Sequence, residues 1–134
     1  METWALIRFV HVTAAAAWLG MQLALFVLVP ALRRLLPADE VRAVVRAAGV
    51  RLAVVAAVAL PALLASGIAL GRHEPAAAAH PGVVHVKQSV LAAVVVLLAA
   101  HGIVQGKAAR IAASALMLAL TLVAVYAGAW LAAQ

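Results

Sequence analysis

The chain has 134 residues, 69% of them hydrophobic and 10% charged, with a formal net charge of +6. That balance excludes an ordinary water-soluble domain, in which about a quarter of the residues are charged. The absence of cysteine excludes disulfides, thiolate metal sites, iron–sulfur clusters and thiol-linked haem.

A bilayer-spanning helix needs about 20 mainly apolar residues. Four such runs occur, over about residues 4–29, 52–70, 83–104 and 111–133. They predict an all-α integral membrane protein, a four-transmembrane-helix bundle formed as a single domain by residues 1–134. The first run has no basic segment before it, is too long for a signal-peptide core and meets Pro30 rather than a small-residue cleavage site, so it reads as a retained helix.

Helix 1 carries Arg8 near its start, within snorkelling reach of the headgroups. His11 follows, sharing a helical face with Ala15, Trp18 and Gln22, with Ala14 beside it. Small residues beside an imidazole leave room for a flat macrocycle that Trp18 can wall. The same alanines also suit plain close packing of two helices around a hydrogen-bonded histidine.

In the next connection, Pro37 with Asp39 and Glu40 reads as a helix start. Val41, Val44, Val45 and Ala48 then fall on one face, with Arg42 and Arg46 on another. This predicts a short amphipathic cytoplasmic extension before helix 2, lying near the headgroups. Helix 2 contains Pro61 and Ser66-Gly67, elements that bend membrane helices. Residues 71–81, with Arg72, His73, Glu74, His80 and four alanines, predict a short exposed outer loop.

Helix 3 opens with His85 and Lys87 and reaches His101, while helix 4 is almost wholly apolar, with Tyr126 and Trp130 placed for the outer interface. Arg33, Arg34, Arg42, Arg46, Arg51, Lys107 and Arg110 lie on one side of the four spans; Arg8, Arg72 and Lys87 lie on the other. The positive-inside rule therefore predicts both termini outside and the basic connections in the cytoplasm of a bacterial-type inner membrane. No basic stripe interleaved with aromatics is present, which argues against nucleic acid as the partner.

Val10-His11-Val12 in helix 1 matches Val84-His85-Val86 in helix 3, and His11 to Arg33 and His85 to Lys107 span the same distance along the chain. Both helices run outside to inside, so the two imidazoles are expected at one depth near the outer boundary. A pair of neutral imidazoles on facing helices is the axial set of a b-type haem. Lys87 points to a different face from His85, suited to a propionate or lipid phosphate, or as a neutral amine to replacing His85 as ligand. His101, about 21 Å farther along the axis than Lys87, belongs near the cytoplasmic edge, as a second haem ligand, a proton-relay group or an interfacial histidine.

Copper is the alternative metal. His73, His80 and His85 can collect it on the outer side, although Met21 and Met117 are thin thioether support for a path through the bilayer.

His11 followed by four alanines, Trp18, Leu19 and Gly20, then Ser66-Gly67 and Lys87, resembles the copper-resistance D (CopD) membrane family. His85-Val-Lys87 with His101-Gly102 is similar to HemJ-type protoporphyrinogen oxidases, small four-helix membrane proteins that bind haem b. The resemblance covers roughly residues 5–106 and implies haem or copper handling, carried by His11, Lys87 and His101.

The function expected is thus a b-type haem protein of electron transfer, a membrane oxidoreductase in one form, with His11 and His85 as metal ligands and Ala15, Trp18, Lys87 and His101 around the cofactor. The alternatives are copper uptake or delivery, a porphyrinogen oxidase, and a non-catalytic accessory subunit. The partners expected are the lipid bilayer, a quinone or redox protein, and a second copy of the chain. The topology is open to a direct check, because the chain lacks cysteine. A single cysteine at Ala78 should react with an impermeant maleimide in intact cells and one at Ala43 only after permeabilisation; the opposite pattern inverts the orientation.

Overall fold

The computed structural model describes residues 2–101 and 106–134, with the backbone alone at His101 and Lys107. The described chain is helical: α1 is Glu2–Leu35, α2 Ala38–His73, α3 Pro75–Ala79, α4 Pro81–His101 and α5 Lys107–Ala132. Two compact units form, Met1–Ala69 and Leu70–Gln134.

Four of these helices are long and apolar enough to span a membrane, with mean hydropathy of 2.0, 2.3, 2.0 and 2.1 over their best windows. The protein itself buries only 11, 22, 6 and 17% of those windows. In water that much exposed hydrocarbon would drive aggregation; lipid is the solvent that suits it. The chain is a multi-pass membrane protein.

In the first unit α1 and α2 form a helical hairpin turned at Leu36-Pro37. The Val41 amide bonds the Pro37 carbonyl at 3.0 Å and opens α2, whose Asp39 and Glu40 complement its positive end as Arg33 and Arg34 complement the negative end of α1.

The spans are longer than the apolar runs suggest. Helix 1 does not stop before Pro30 but continues to Leu35. Proline removes one backbone donor there, whereas ending the helix in an apolar environment would leave a whole turn of carbonyls unsatisfied. In the same way α2 passes through Pro61 and forms one helix from Ala38 to His73. At about 1.5 Å per residue the two helices are roughly 51 and 54 Å long, against a hydrocarbon core of about 30 Å.

The amphipathic stretch before helix 2 is therefore the first turns of a continuous helix. Its apolar face is the more covered one: Val41 is buried, Val45 and Ala48 are half-buried, while Val44, Arg42 and Arg46 are exposed.

In the second unit α4 packs mainly on α5, and the short α3 touches both. The segment expected as an exposed loop contains this helix. Glu74 is extended (φ −77°, ψ 126°), as a residue before proline prefers, and Pro75 occupies the first turn, where its missing N–H costs nothing. His80 closes α3 through its amide to the Ala76 carbonyl, and its own carbonyl receives the Val83 amide at the start of α4. Entry into α5 is made by Gly106 at φ 100°, in the left-handed region that an L side chain rarely adopts.

Hydroxyls within the spans bond back to their own helices. Ser114 donates to the Arg110 carbonyl at 3.0 Å and Thr121 to the Met117 carbonyl at 2.9 Å, which spares lipid an unsatisfied O–H. The tightest apolar packing is at Val94 on α4, 2% exposed. Val94→Ala should destabilise the folded protein by about 1–2 kcal/mol through lost packing contacts. Val96→Ala, at a position 66% exposed, should stay within about 0.5 kcal/mol. Reversible unfolding in mixed micelles measures both.

Candidate functional site

The covered face of α1 is a single stripe. Trp4, Ile7, His11, Ala15 and Gln22 are half-buried along it, and Ala14 and Trp18 are buried. The spacing of three and four residues that joined His11, Ala15, Trp18 and Gln22 in the sequence is thus the spacing that faces the neighbouring helix.

His11 is held there by α2. Its Nδ1 lies 3.0 Å from the Ser66 Oγ, and Ser66 Oγ lies 2.5 Å from the Ala62 carbonyl oxygen and 3.3 Å from that of Leu63. A serine hydroxyl has one proton to give and two lone pairs to receive with. That proton goes to the backbone carbonyls of the preceding turn, so Ser66 accepts from His11. Nδ1 then carries a hydrogen. In its neutral form such a ring has its lone pair on Nε2, the atom through which an imidazole binds a metal or accepts a proton.

Gly67, next to Ser66, makes the close approach possible. A methyl group built on Gly67 would lie 3.1 Å from His11 Cε1 and 3.6 Å from Nδ1. The ring therefore rests against the bare backbone of α2, with Ser66 gripping one edge. Ser66 is itself buried.

The second unit contains a related arrangement. Lys87 of α4 is half-buried, and a methyl group built on Gly128 of α5 would lie 3.1 Å from Lys87 Nζ and 3.7 Å from Cε. The seam position near the start of α4 thus belongs to Lys87. His85, two residues earlier and about 200° away around the helix, is exposed.

His80 packs edge-on against Trp130, with ring centroids 4.9 Å apart and planes at 71°. Beside them a shallow apolar groove of about 290 Å³ is lined by Val83, Val86, Val123, Tyr126, Ala127 and Trp130. His73 is exposed at the end of α2. Among the described residues no three His, Cys, Asp or Glu side chains stand together to hold a metal ion. The side chain of His101 lies outside the described residues, as do residues 102–105 at the expected end of helix 3.

Of the residues singled out in the sequence, His11, Ala15 and Trp18 share one interhelical face and Lys87 lies in another seam. Ser66 and Gly67 were legible as bend-prone residues and as part of a family resemblance but not as contacts of His11, and Gly128 not at all. The signal that marks all three is a small residue inside an apolar span, where a partner helix can bring a bulky polar side chain close. Comparison of the chain with family models, curated proteins and solved structures finds no match.

The two glycines differ in what they tolerate. At Gly128 the neighbour is the far end of a flexible lysine, so Gly128→Ala should be neutral or stabilise by up to about 1 kcal/mol from helix propensity. At Gly67 the neighbour is a ring tied to Ser66, and overpacking of that kind costs about 1–3 kcal/mol. Gly67→Ala should therefore be the more destabilising of the two in the same unfolding assay; equal effects would mean that the His11 ring is not held.

Proposed function

We propose that the chain is a multi-pass membrane protein that binds b-type haem and passes electrons, with His11 as an axial ligand through Nε2. The observation that carries this reading is the Ser66 hydrogen bond to Nδ1, which presents a neutral, oriented imidazole inside an apolar span. Ionisable side chains are costly at such a depth and are kept where they serve a site. The donor set fits the group: haem iron takes neutral imidazole, and an imidazole ligand characteristically donates its other N–H to an acceptor.

In this reading His85, at the start of α4, supplies the second imidazole. When bound, the haem supplies a one-electron couple. The chain's own residues do the rest. Ser66 keeps the His11 ring turned, Ala14 and Ala15 leave flat space beside it, Trp18 walls the stripe about two turns deeper, and Lys87 offers a positive charge suited to a propionate. The apolar spans exclude water from the ligand. Electrons would be exchanged with a quinone or a redox protein. The termini lie outside and the arginine-bearing hairpin end is in the cytoplasm of an inner membrane.

Copper delivery, as in the copper-resistance D family, asks for several imidazole or thioether donors within reach of one ion. His73, His80 and His85 form no such three-ligand group, whereas haem asks for two axial imidazoles, of which His11 is the one held in place by a hydrogen bond. The haem reading is therefore the better supported.

Protein purified from haem-replete cells should show a Soret band that shifts on reduction, with the narrow α-band of low-spin haem. His11→Ala should abolish it. His85→Ala should convert low-spin to high-spin haem, and if low-spin haem survives that change but is lost with His11→Ala, Lys87 or another group is the second ligand. A colourless wild-type protein would sink the haem reading.

A further inference from the structure

We infer that Ser66 and Gly67 form a seat for His11, in which Ser66 is a positioning residue that selects the ring's tautomer and Gly67 supplies the space for it. The tautomer is read from the hydrogen bonds at Ser66, whereas its effect on haem rests on the proposed haem-binding function.

The direction of the hydrogen bonds is decided at the hydroxyl. Ser66 Oγ is 2.5 Å from the Ala62 carbonyl oxygen, the short distance of a well-formed O–H···O bond. Donating there polarises the hydroxyl and makes its oxygen a better acceptor, as in any hydrogen-bonded chain. The acceptor side faces His11 Nδ1 at 3.0 Å. The chain of bonds thus runs from imidazole N–H to hydroxyl to backbone carbonyl. Its direction is set by the carbonyl, which can only accept.

A second, independent observation is the contact at Gly67. With Cε1 at 3.1 Å from a would-be methyl group, any side chain at this position presses on the ring edge between the two nitrogens. Ser66 fixes the rotation of the ring; Gly67 permits its approach. Neighbouring positions on a helix point about 100° apart, so these two consecutive residues address the ring differently, one through a side chain and one through the lack of one.

The same direction of bonding has a consequence for a metal on Nε2. An acceptor on Nδ1–H raises the basicity of the opposite nitrogen. Greater basicity favours the ferric over the ferrous ion, so the seat lowers the midpoint potential of a bound haem. Removing the hydroxyl should raise it.

The test uses the full chain in nanodiscs with histidine labelled by ¹⁵N. In haem-free protein the ring resonances of His11, assigned by their loss in His11→Ala, should report a protonated Nδ1 and an unprotonated Nε2. Ser66→Ala should move the ring toward the Nε2–H tautomer favoured in water, and Ser66→Thr, which keeps the hydroxyl, should restore the wild-type pattern. In haem-loaded protein Ser66→Ala should weaken haem retention roughly 10–100-fold. It should also raise the midpoint potential, by about 59 mV for each tenfold change in the ferric-to-ferrous affinity ratio.

An Nε2–H tautomer in the wild type, or an unchanged tautomer in Ser66→Ala, overturns the seat, and the wild-type spectrum decides this even if the alanine variant fails to fold. If the tautomer behaves as stated but no haem is retained by the wild type, the haem reading falls and the seat stands. If haem binds and the potential ignores Ser66, the tuning role falls.

Discussion

Every polar group inside a bilayer has to find its partner within the protein, and in this chain that constraint has its sharpest expression at His11. An imidazole placed about two turns into an apolar helix has no water to bond with. One partner is Ser66, and Ser66 in turn hands its own hydrogen to a carbonyl of its own helix. The bond joins α1 to α2 across 55 positions of the chain. Ser114 and Thr121 obey the same constraint locally, each bonding a carbonyl of its own helix.

Glycine makes such ties compact. The His11 ring against Gly67 and the Lys87 ammonium against Gly128 are both polar groups laid on exposed backbone of the next helix in the chain. Because lipid tails are as apolar as the side chains, no hydrophobic gain holds two spans together; close van der Waals contact and buried polar contacts do so. The two units therefore use a similar device with different chemistry. The ring in the first is oriented by a hydrogen bond, and the lysine in the second brings the far end of a long side chain to the glycine.

The matching Val-His-Val tripeptides single out His11 and His85 as a pair. In the structure the seam-facing positions are His11 and Lys87, and His85 is exposed on α4. A tripeptide match ignores rotation around the helix, where a shift of two residues moves a side chain about 200°. It is the neighbour helix that decides which of two nearby polar residues turns inward.

Hydrophobicity and run length alone determined the four spans, since about 20 apolar residues have no other stable home than a bilayer. The three-and-four spacing of His11, Ala15, Trp18 and Gln22 determined which face of α1 would be covered. The ends of the helices were not legible, because whether a chain continues past Pro30 or coils at 75–79 depends on which carbonyls would otherwise go unpaired. Nor were Ser66, Gly67 and Gly128 legible as contact residues. A serine or glycine is defined by its neighbours in space, and for Ser66 that neighbour is a side chain 55 residues away. Only the tertiary structure brings those partners together, and with them the tautomer that makes His11 a candidate ligand.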